Sequence, residues 1–139
     1  MSWQQYIDNL CLPVNGELIV QDAVICGIEC KTVWASTPNY SSFPEEDIKV
    51  LSGDRSKFSS CGPKVNGEKC MLLSDRMDDE SVYSLNLKTA SDANGEKYNI
   101  CVGKTLRALI IIKSVSGDHG GKLSKKMFAT VDHLRKQSM

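Results

Sequence analysis

Trp3 and Tyr6 stand three residues apart, a spacing that puts both rings on one face of a helix. The chain has two tryptophans, four tyrosines and three phenylalanines, so the pair uses a scarce residue type close to an end that would ordinarily fray. Trp34 lies in a short strand pattern, and His133 near the end of a last helical pattern. If the two terminal helices are neighbours, His133 joins the rings of Trp3 and Tyr6. Such a cleft suits proline-rich peptides: flat rings pack on pyrrolidine faces, and the ligand is already extended and loses little entropy. Indole N–H groups can donate to the exposed peptide carbonyls. Core packing of the same residues is the competing reading, and the pattern alone leaves both open.

Little supports bond-making chemistry. His119 precedes two glycines, but no Gly-x-Ser-x-Gly, P-loop or dinucleotide fingerprint accompanies it. Asp118 beside it reads as a helix N-cap. Asp78-Asp79-Glu80 lacks the spacing of a calcium loop and reads as a solvated turn. The six cysteines contain no Cys-x-x-Cys pair, so no zinc site is expected and buried thiols should act as small hydrophobes. Cys70 beside Lys69 is the one weak candidate for a reactive thiol. No segment reads as a secretory leader or a membrane span, which points to a soluble intracellular protein with reduced cysteines.

The elements that must position these residues follow from periodicity. Trp3, Tyr6, Ile7 and Leu10 make residues 3–10 an amphipathic helix, ended by Pro13 and Asn15-Gly16. Residues 17–25 and 31–36 read as strands, the second with Val33 and Ala35 on one face and Trp34 on the other. Residues 37–43 read as a polar loop, and Ser42-Phe-Pro-Glu45 as a capping box before a short helix carrying Ile48 and Leu51. Residues 55–60 suggest one further helical turn. Strands are predicted over 69–74, 81–88, 97–102 and 107–113, with Asn66-Gly67 and Asn94-Gly95 as turn signals. Tyr83, Leu85 and Leu87, then Tyr98, Ile100 and Val102, line an apolar face. Lys88, Lys97 and Asn99 lie on a wetter one. Leu123, Met127, Val131 and Leu134 stripe a last helix reaching about residue 135. The sum is a single α+β domain over residues 1–139: an antiparallel sheet with the two terminal helices side by side on its apolar face.

Charge is balanced overall, with 17 lysines plus arginines against 17 aspartates plus glutamates. Residues 101–139 carry eight basic and two acidic side chains, an asymmetry compatible with an acidic protein, an anionic lipid or simply a solvated helix face. A small-ligand sensor would need a cavity, which bulky Leu85, Leu87, Ile100, Val102, Leu109 and Ile111 should fill.

Particular motifs carry a family resemblance. Trp3-Gln-Gln-Tyr6-Ile-Asp8-Asn9-Leu10 resembles the N-terminal signature of profilins. The likeness continues through Val33-Trp34-Ala35, Leu51-Ser-Gly-Asp54-Arg55 and Gly67-Glu-Lys69-Cys70, and ends with His119-Gly-Gly121, Lys125-Lys126 and His133-Leu134-Arg135. It spans essentially the whole chain and is closer to animal members than to plant or amoebal ones. The resemblance implies a central antiparallel sheet with the terminal helices on one face and short helices on the other. It implies a cytoplasmic, cytoskeletal protein that does no covalent chemistry and needs no cofactor. Its implied partners are monomeric actin, proline-rich actin-assembly factors and phosphoinositides at a membrane surface, with no nucleic acid. The implied effect on actin is faster nucleotide exchange and delivery of monomers to filament barbed ends. A divergent member with weakened actin binding, acting mainly as a proline-rich-ligand or lipid adaptor, is the alternative.

Residue by residue, the resemblance assigns polyproline binding to Trp3, Tyr6, Asn9, Trp34 and His133, with Met139 where the family has an aromatic. It assigns actin binding to Lys69, Met71, Leu73, Lys88, Asn99, His119, Gly121, Lys125 and Phe128. Phosphoinositide contacts fall to Lys69, Lys88, Lys125, Lys126, Arg135 and Lys136. Ser74, Ala90 and Ala129 stand where an arginine, a lysine and an acidic residue are common, which should weaken an electrostatic actin interface.

Overall fold

The computed structural model describes residues 2–139. The first helix, α1 (Trp3–Leu10), is started by a capping box: the Ser2 hydroxyl accepts from the Gln5 N–H, and the Gln5 side chain accepts from the Ser2 N–H. Strands β1 (Val20–Gly27) and β2 (Val33–Ser36) follow, then a 3₁₀ turn (Pro38–Tyr40) and α2 (Glu45–Ser52). The chain continues through β3 (Lys64–Val65), β4 (Glu68–Arg76), β5 (Ser84–Thr89), β6 (Asn99–Lys104) and β7 (Ala108–Ser114), and closes with α3 (Gly120–Lys136). The strands form one antiparallel sheet in the order β2-β1-β7-β6-β5-β4-β3. Asn66 and Gly67 both have positive φ in the β3–β4 turn, as an Asn-Gly hairpin requires.

Both faces of the central strands are buried, and that corrects the expected placement of the helices. The face carrying Leu85, Leu87, Ile100, Val102, Leu109 and Ile111 is covered by Tyr40, Phe43, Ile48, Leu51, Phe58 and Met77. The terminal helices lie on the opposite face, where Cys101, Ala108, Ile110 and Ile112 meet Ile7, Leu10, Leu123, Met127 and Val131. Small residues there let α3 approach closely: Gly103 sits directly beneath Met127 and Val131. The terminal helices do share one face and the short elements the other.

Several local expectations fail for identifiable reasons. Ser42 does not cap α2. Pro44 holds an extended conformation one residue before the helix, and Glu45, Glu46 and Asp47 complement the helix dipole in the first turn instead. Residues 55–60, by contrast, do carry the expected single turn, with the Cys61 N–H bonded to the Lys57 carbonyl at 2.7 Å. The stretch 37–43 is not simply polar loop, because Tyr40 and Phe43 are buried. Asp118 is exposed, and α3 begins one residue later, with His119 at the N-cap position and no side-chain cap. The His119 N–H is instead taken by the Asn99 carboxamide oxygen at 3.1 Å.

Candidate functional site

Trp34 reaches the terminal-helix face through a β-bulge. Ile25 pairs with Ala35 and Cys26 with Val33, leaving Trp34 as the extra residue of β2. Val33 therefore packs into the core on the Leu85 face and Ala35 into the core beneath the terminal helices, which breaks the simple alternation expected for this strand. The bulge aims the indole at α1. Gly27 makes room: a Cβ there would lie 2.6 Å from the Trp34 ring.

Four rings then form a row across α1, α3 and β2. Trp34 and Trp3 have ring centroids 5.0 Å apart, Trp3 and Tyr6 5.8 Å, and Tyr6 and His133 5.9 Å. Each step matches about two residues of a polyproline helix, which rises about 3.1 Å per residue. The row is not sealed. Trp34 is 37% exposed and His133 is exposed, while Trp3 is half-buried against the core and Tyr6 is 6% exposed, reaching the surface only where it lines the groove beside His133. Beyond Tyr6 the row opens into a groove of ≈ 330 Å³ lined by Asn9, Ala129, Thr130 and His133. The only buried side-chain polar atom without a partner among the described residues is the Tyr40 hydroxyl, so the polar edges of the row are not trapped in the interior. Met139 packs against the same core. Its carbonyl accepts from the Arg107 N–H and the Thr105 hydroxyl, each at 2.9 Å, which ties the end of the chain to the β6–β7 turn.

A second surface lies where β4 and β5 extend past α3. Met71, Leu73 and Phe128 are among the largest exposed apolar side chains, at 57%, 50% and 46%. Leu73 is the bulged residue between Leu72 and Ser74. Lys69 and Lys125 are exposed and Lys88 half-buried, and Gly121 is exposed at the start of α3. An open depression of ≈ 430 Å³ here is lined by Arg76, Val82, Asn86, Ser124, Lys125 and Phe128. Asn86 bonds Ser74 at 3.3 Å and Ser124 at 3.1 Å, stitching the two strands to the helix. Sequence reasoning did not single out Arg76, Asn86 or Ser124. Asn86 lies two residues before Lys88 in β5, on the side of the strand expected to be wet. Asn99, expected to face outward, is 3% exposed and caps the approach to α3. His119 is half-buried, with Nε2 3.1 Å from the Ser116 carbonyl and Nδ1 4.0 Å from the Glu17 carboxylate. Ala129 faces the α1–α3 groove with Tyr6.

The six candidate cations do not gather in one place. Arg135 stacks on Tyr83, 3.3 Å from the ring centroid, and donates two hydrogen bonds to the Lys104 carbonyl. Lys126 donates to the Leu12 carbonyl at 2.8 Å, and burial holds its ammonium below the usual lysine range. Lys136 pairs with Asp132 at 3.0 Å. Lys69, Lys88 and Lys125 remain as the group nearest the second surface.

The thiols separate by environment. Burial pushes Cys26, Cys70 and Cys101 up to about 12, so the expectation of a reactive Cys70 is corrected. Cys30 is exposed. Its thiol contacts the Thr32 hydroxyl at 2.9 Å, and hydrogen bonding from Thr32, with a smaller part from Trp34, draws it below the ordinary thiol value. Iodoacetamide should therefore modify Cys30 with a rate inflection below the usual thiol pH, because its thiolate forms earlier. Cys26, Cys70 and Cys101 should label only on unfolding. Mass spectrometry of timed alkylation checks this, and early labelling of Cys101 would contradict it. Among the described residues no cluster of histidine, cysteine, aspartate or glutamate could hold a metal, and no helix is long and apolar enough to cross a membrane.

The seven-stranded sheet carries both terminal helices on one face, with the row of aromatic rings running across them and β2. A family model described as Profilin matches residues 1–139, and the chain belongs to the profilin family. Human Profilin-1 is 33% identical over 139 residues, covering 97% of this chain and 96% of that protein. Rat Profilin-2 is 33% identical over 138 residues, covering 96% of each. Among solved structures, mouse Profilin IIa in complex with a double repeat from the FH1 domain of mDia1 superposes with a TM-score of 0.89 at 30% identity, over the full length of both chains.

Proposed function

We propose that this chain is an actin-monomer-binding regulator of filament assembly that also holds proline-rich segments. The observation that carries the proline half is the row of Trp34, Trp3, Tyr6 and His133, spaced at 5.0 to 5.9 Å, with Trp34 and His133 exposed, Trp3 half-buried and Tyr6 largely buried between them. A ligand already in the polyproline conformation meets it with little ordering cost, and the ring faces and polar edges supply complementary contacts. The structural neighbour solved with an FH1 repeat supports the same reading. Met139 offers a thioether in place of an aromatic, so one stacking ring and one phenolic donor are missing from the groove and affinity should be reduced.

The actin half rests on family membership and on the second surface. Exposed Met71, Leu73 and Phe128 supply apolar contact, and Lys69, Lys88 and Lys125 supply charge. Ser74 and Ala90 carry no charge, so association should be slower than for a fully charged interface. Anionic lipid headgroups would meet the same three lysines, each worth about 1 kcal/mol near such a surface, and so would compete with actin. Cytoplasmic residence with the actin cytoskeleton and a role in nucleotide exchange follow from this reading. In pyrene-actin assays the protein should slow spontaneous assembly in proportion to its concentration, and added salt should weaken the effect. Assembly curves unchanged at excess protein would contradict the actin half.

A further inference from the structure

The aromatic row does not end at Trp34. Past that indole the surface falls into an open depression of ≈ 790 Å³, with Trp34 and Cys30 on one wall and Ile28 and Leu106 as its apolar lining. Leu106 is 58% exposed, yet the turn that carries it is firmly held. The Thr105 hydroxyl accepts from the Ala108 N–H and donates to the Met139 carbonyl, each at 2.9 Å. The Arg107 carbonyl accepts from the Ile28 N–H at 3.0 Å. An exposed leucine on a rigid turn is an anchor that needs no reordering to be used.

The charges around this anchor are one-sided. Lys104 and Arg107 line the depression, and neither side chain forms an ion pair among the described residues. Lys31 adds a third cation nearby, its ammonium 3.3 Å from the Ile28 carbonyl. Glu29 is the single carboxylate lining the site. Trp34 belongs both to the aromatic row and to the lining of this depression, so the two surfaces are continuous through its indole.

We infer that the depression beyond Trp34 reads the flank of the proline-rich ligand, seating an apolar residue on Leu106 and favouring carboxylates beside Lys104 and Arg107 over a basic flank. The inference rests on the proline-binding reading and adds to it a preference among proline-rich partners. A peptide flank is favoured over a lipid surface because the site is continuous with the aromatic row and has an apolar centre between its cations.

Calorimetric titration of the full chain tests it with three peptides: decaproline alone, decaproline flanked at both ends by leucine and two aspartates, and the same with lysines for aspartates. Placing the flank at both ends removes any dependence on ligand direction. The aspartate form should bind about three- to tenfold more tightly than the lysine form at low salt, as expected for two exposed ion pairs. The gap should narrow as salt is raised. It should close in a double variant, Lys104→Ala with Arg107→Ala, while decaproline alone binds that variant as before. Equal affinities of the two flanked peptides, with decaproline still binding, would overturn the inference and leave the groove intact. Failure of decaproline to bind would overturn the groove reading and this inference together. Discrimination that survives in the double variant, or a double variant that loses only its binding to vesicles containing phosphatidylinositol 4,5-bisphosphate, would also overturn it.

Discussion

Trp3→Ala should remove most of the affinity for decaproline, by about 2 kcal/mol or more, which is at least a thirtyfold loss. Trp3 occupies the middle of the row, 5.0 Å from Trp34 and 5.8 Å from Tyr6, so its removal breaks the binding surface in two. Large rigid aromatics dominate recognition energetics, because they offer contact area at low entropic cost. The fold should survive. Ile7 and Leu10 remain buried at 1% and 2% exposure and keep α1 docked, and the Ser2–Gln5 capping box is untouched. A loss of about 1 to 2 kcal/mol of stability is expected from the partly buried indole. Trp3→Phe should fall between wild type and alanine, since a phenyl ring still packs on proline but donates no hydrogen bond. Calorimetry and a denaturant titration on the same samples separate binding from stability. Unchanged decaproline affinity in Trp3→Ala would contradict the assignment.

The second large effect concerns the contact that holds α3 in place. Gly103→Val should destabilise the protein by about 1 to 3 kcal/mol, although valine is the better strand former. A Cβ at Gly103 would lie 2.7 Å from Met127 Cγ and 2.8 Å from Val131 Cγ2, so these two side chains, and with them the seat of α3 on the sheet, must shift. Both proposed surfaces depend on that helix. His133 closes the aromatic row, and Lys125 and Phe128 line the depression on the other side. Decaproline and actin binding should therefore weaken together in Gly103→Val, whereas Trp3→Ala should affect decaproline alone. Denaturant unfolding with parallel binding assays reads this pattern. A Gly103→Val variant as stable as wild type would contradict the packing argument.

The parts of the fold carried by local pattern were legible in the sequence. The apolar stripe of Leu123, Met127, Val131 and Leu134 is the buried face of α3, and the Asn66-Gly67 turn connects β3 to β4. Features set by register or by distant partners were not. The direction of Trp34 depends on one extra residue in β2 relative to β1, which no alternation within β2 reveals. The inward turn of Asn99 depends on the His119 N–H, twenty residues further on. The commitment of Arg135 to Tyr83 and the Lys104 carbonyl could not be told from a free surface cation, because both look alike in one dimension. One local signal was simply in the other place. Ser2 and Gln5 form the capping box, with the same spacing that Ser42 and Glu45 share without using it. Which sheet face took the terminal helices turned on Cys101, Gly103 and Ala108, whose small size decides how close a helix can come.

The indole Nε1–H resonances of Trp3 and Trp34 offer the most direct measurement, since the two side chains are far apart in sequence and adjacent in space. Titration of the isotope-labelled protein with decaproline should shift both in a single saturable transition, while resonances of the core on the face away from the terminal helices, such as Leu85 and Ile111, stay in place. Indole resonances that do not move at millimolar peptide, or that move with different midpoints, would contradict a common proline-binding groove.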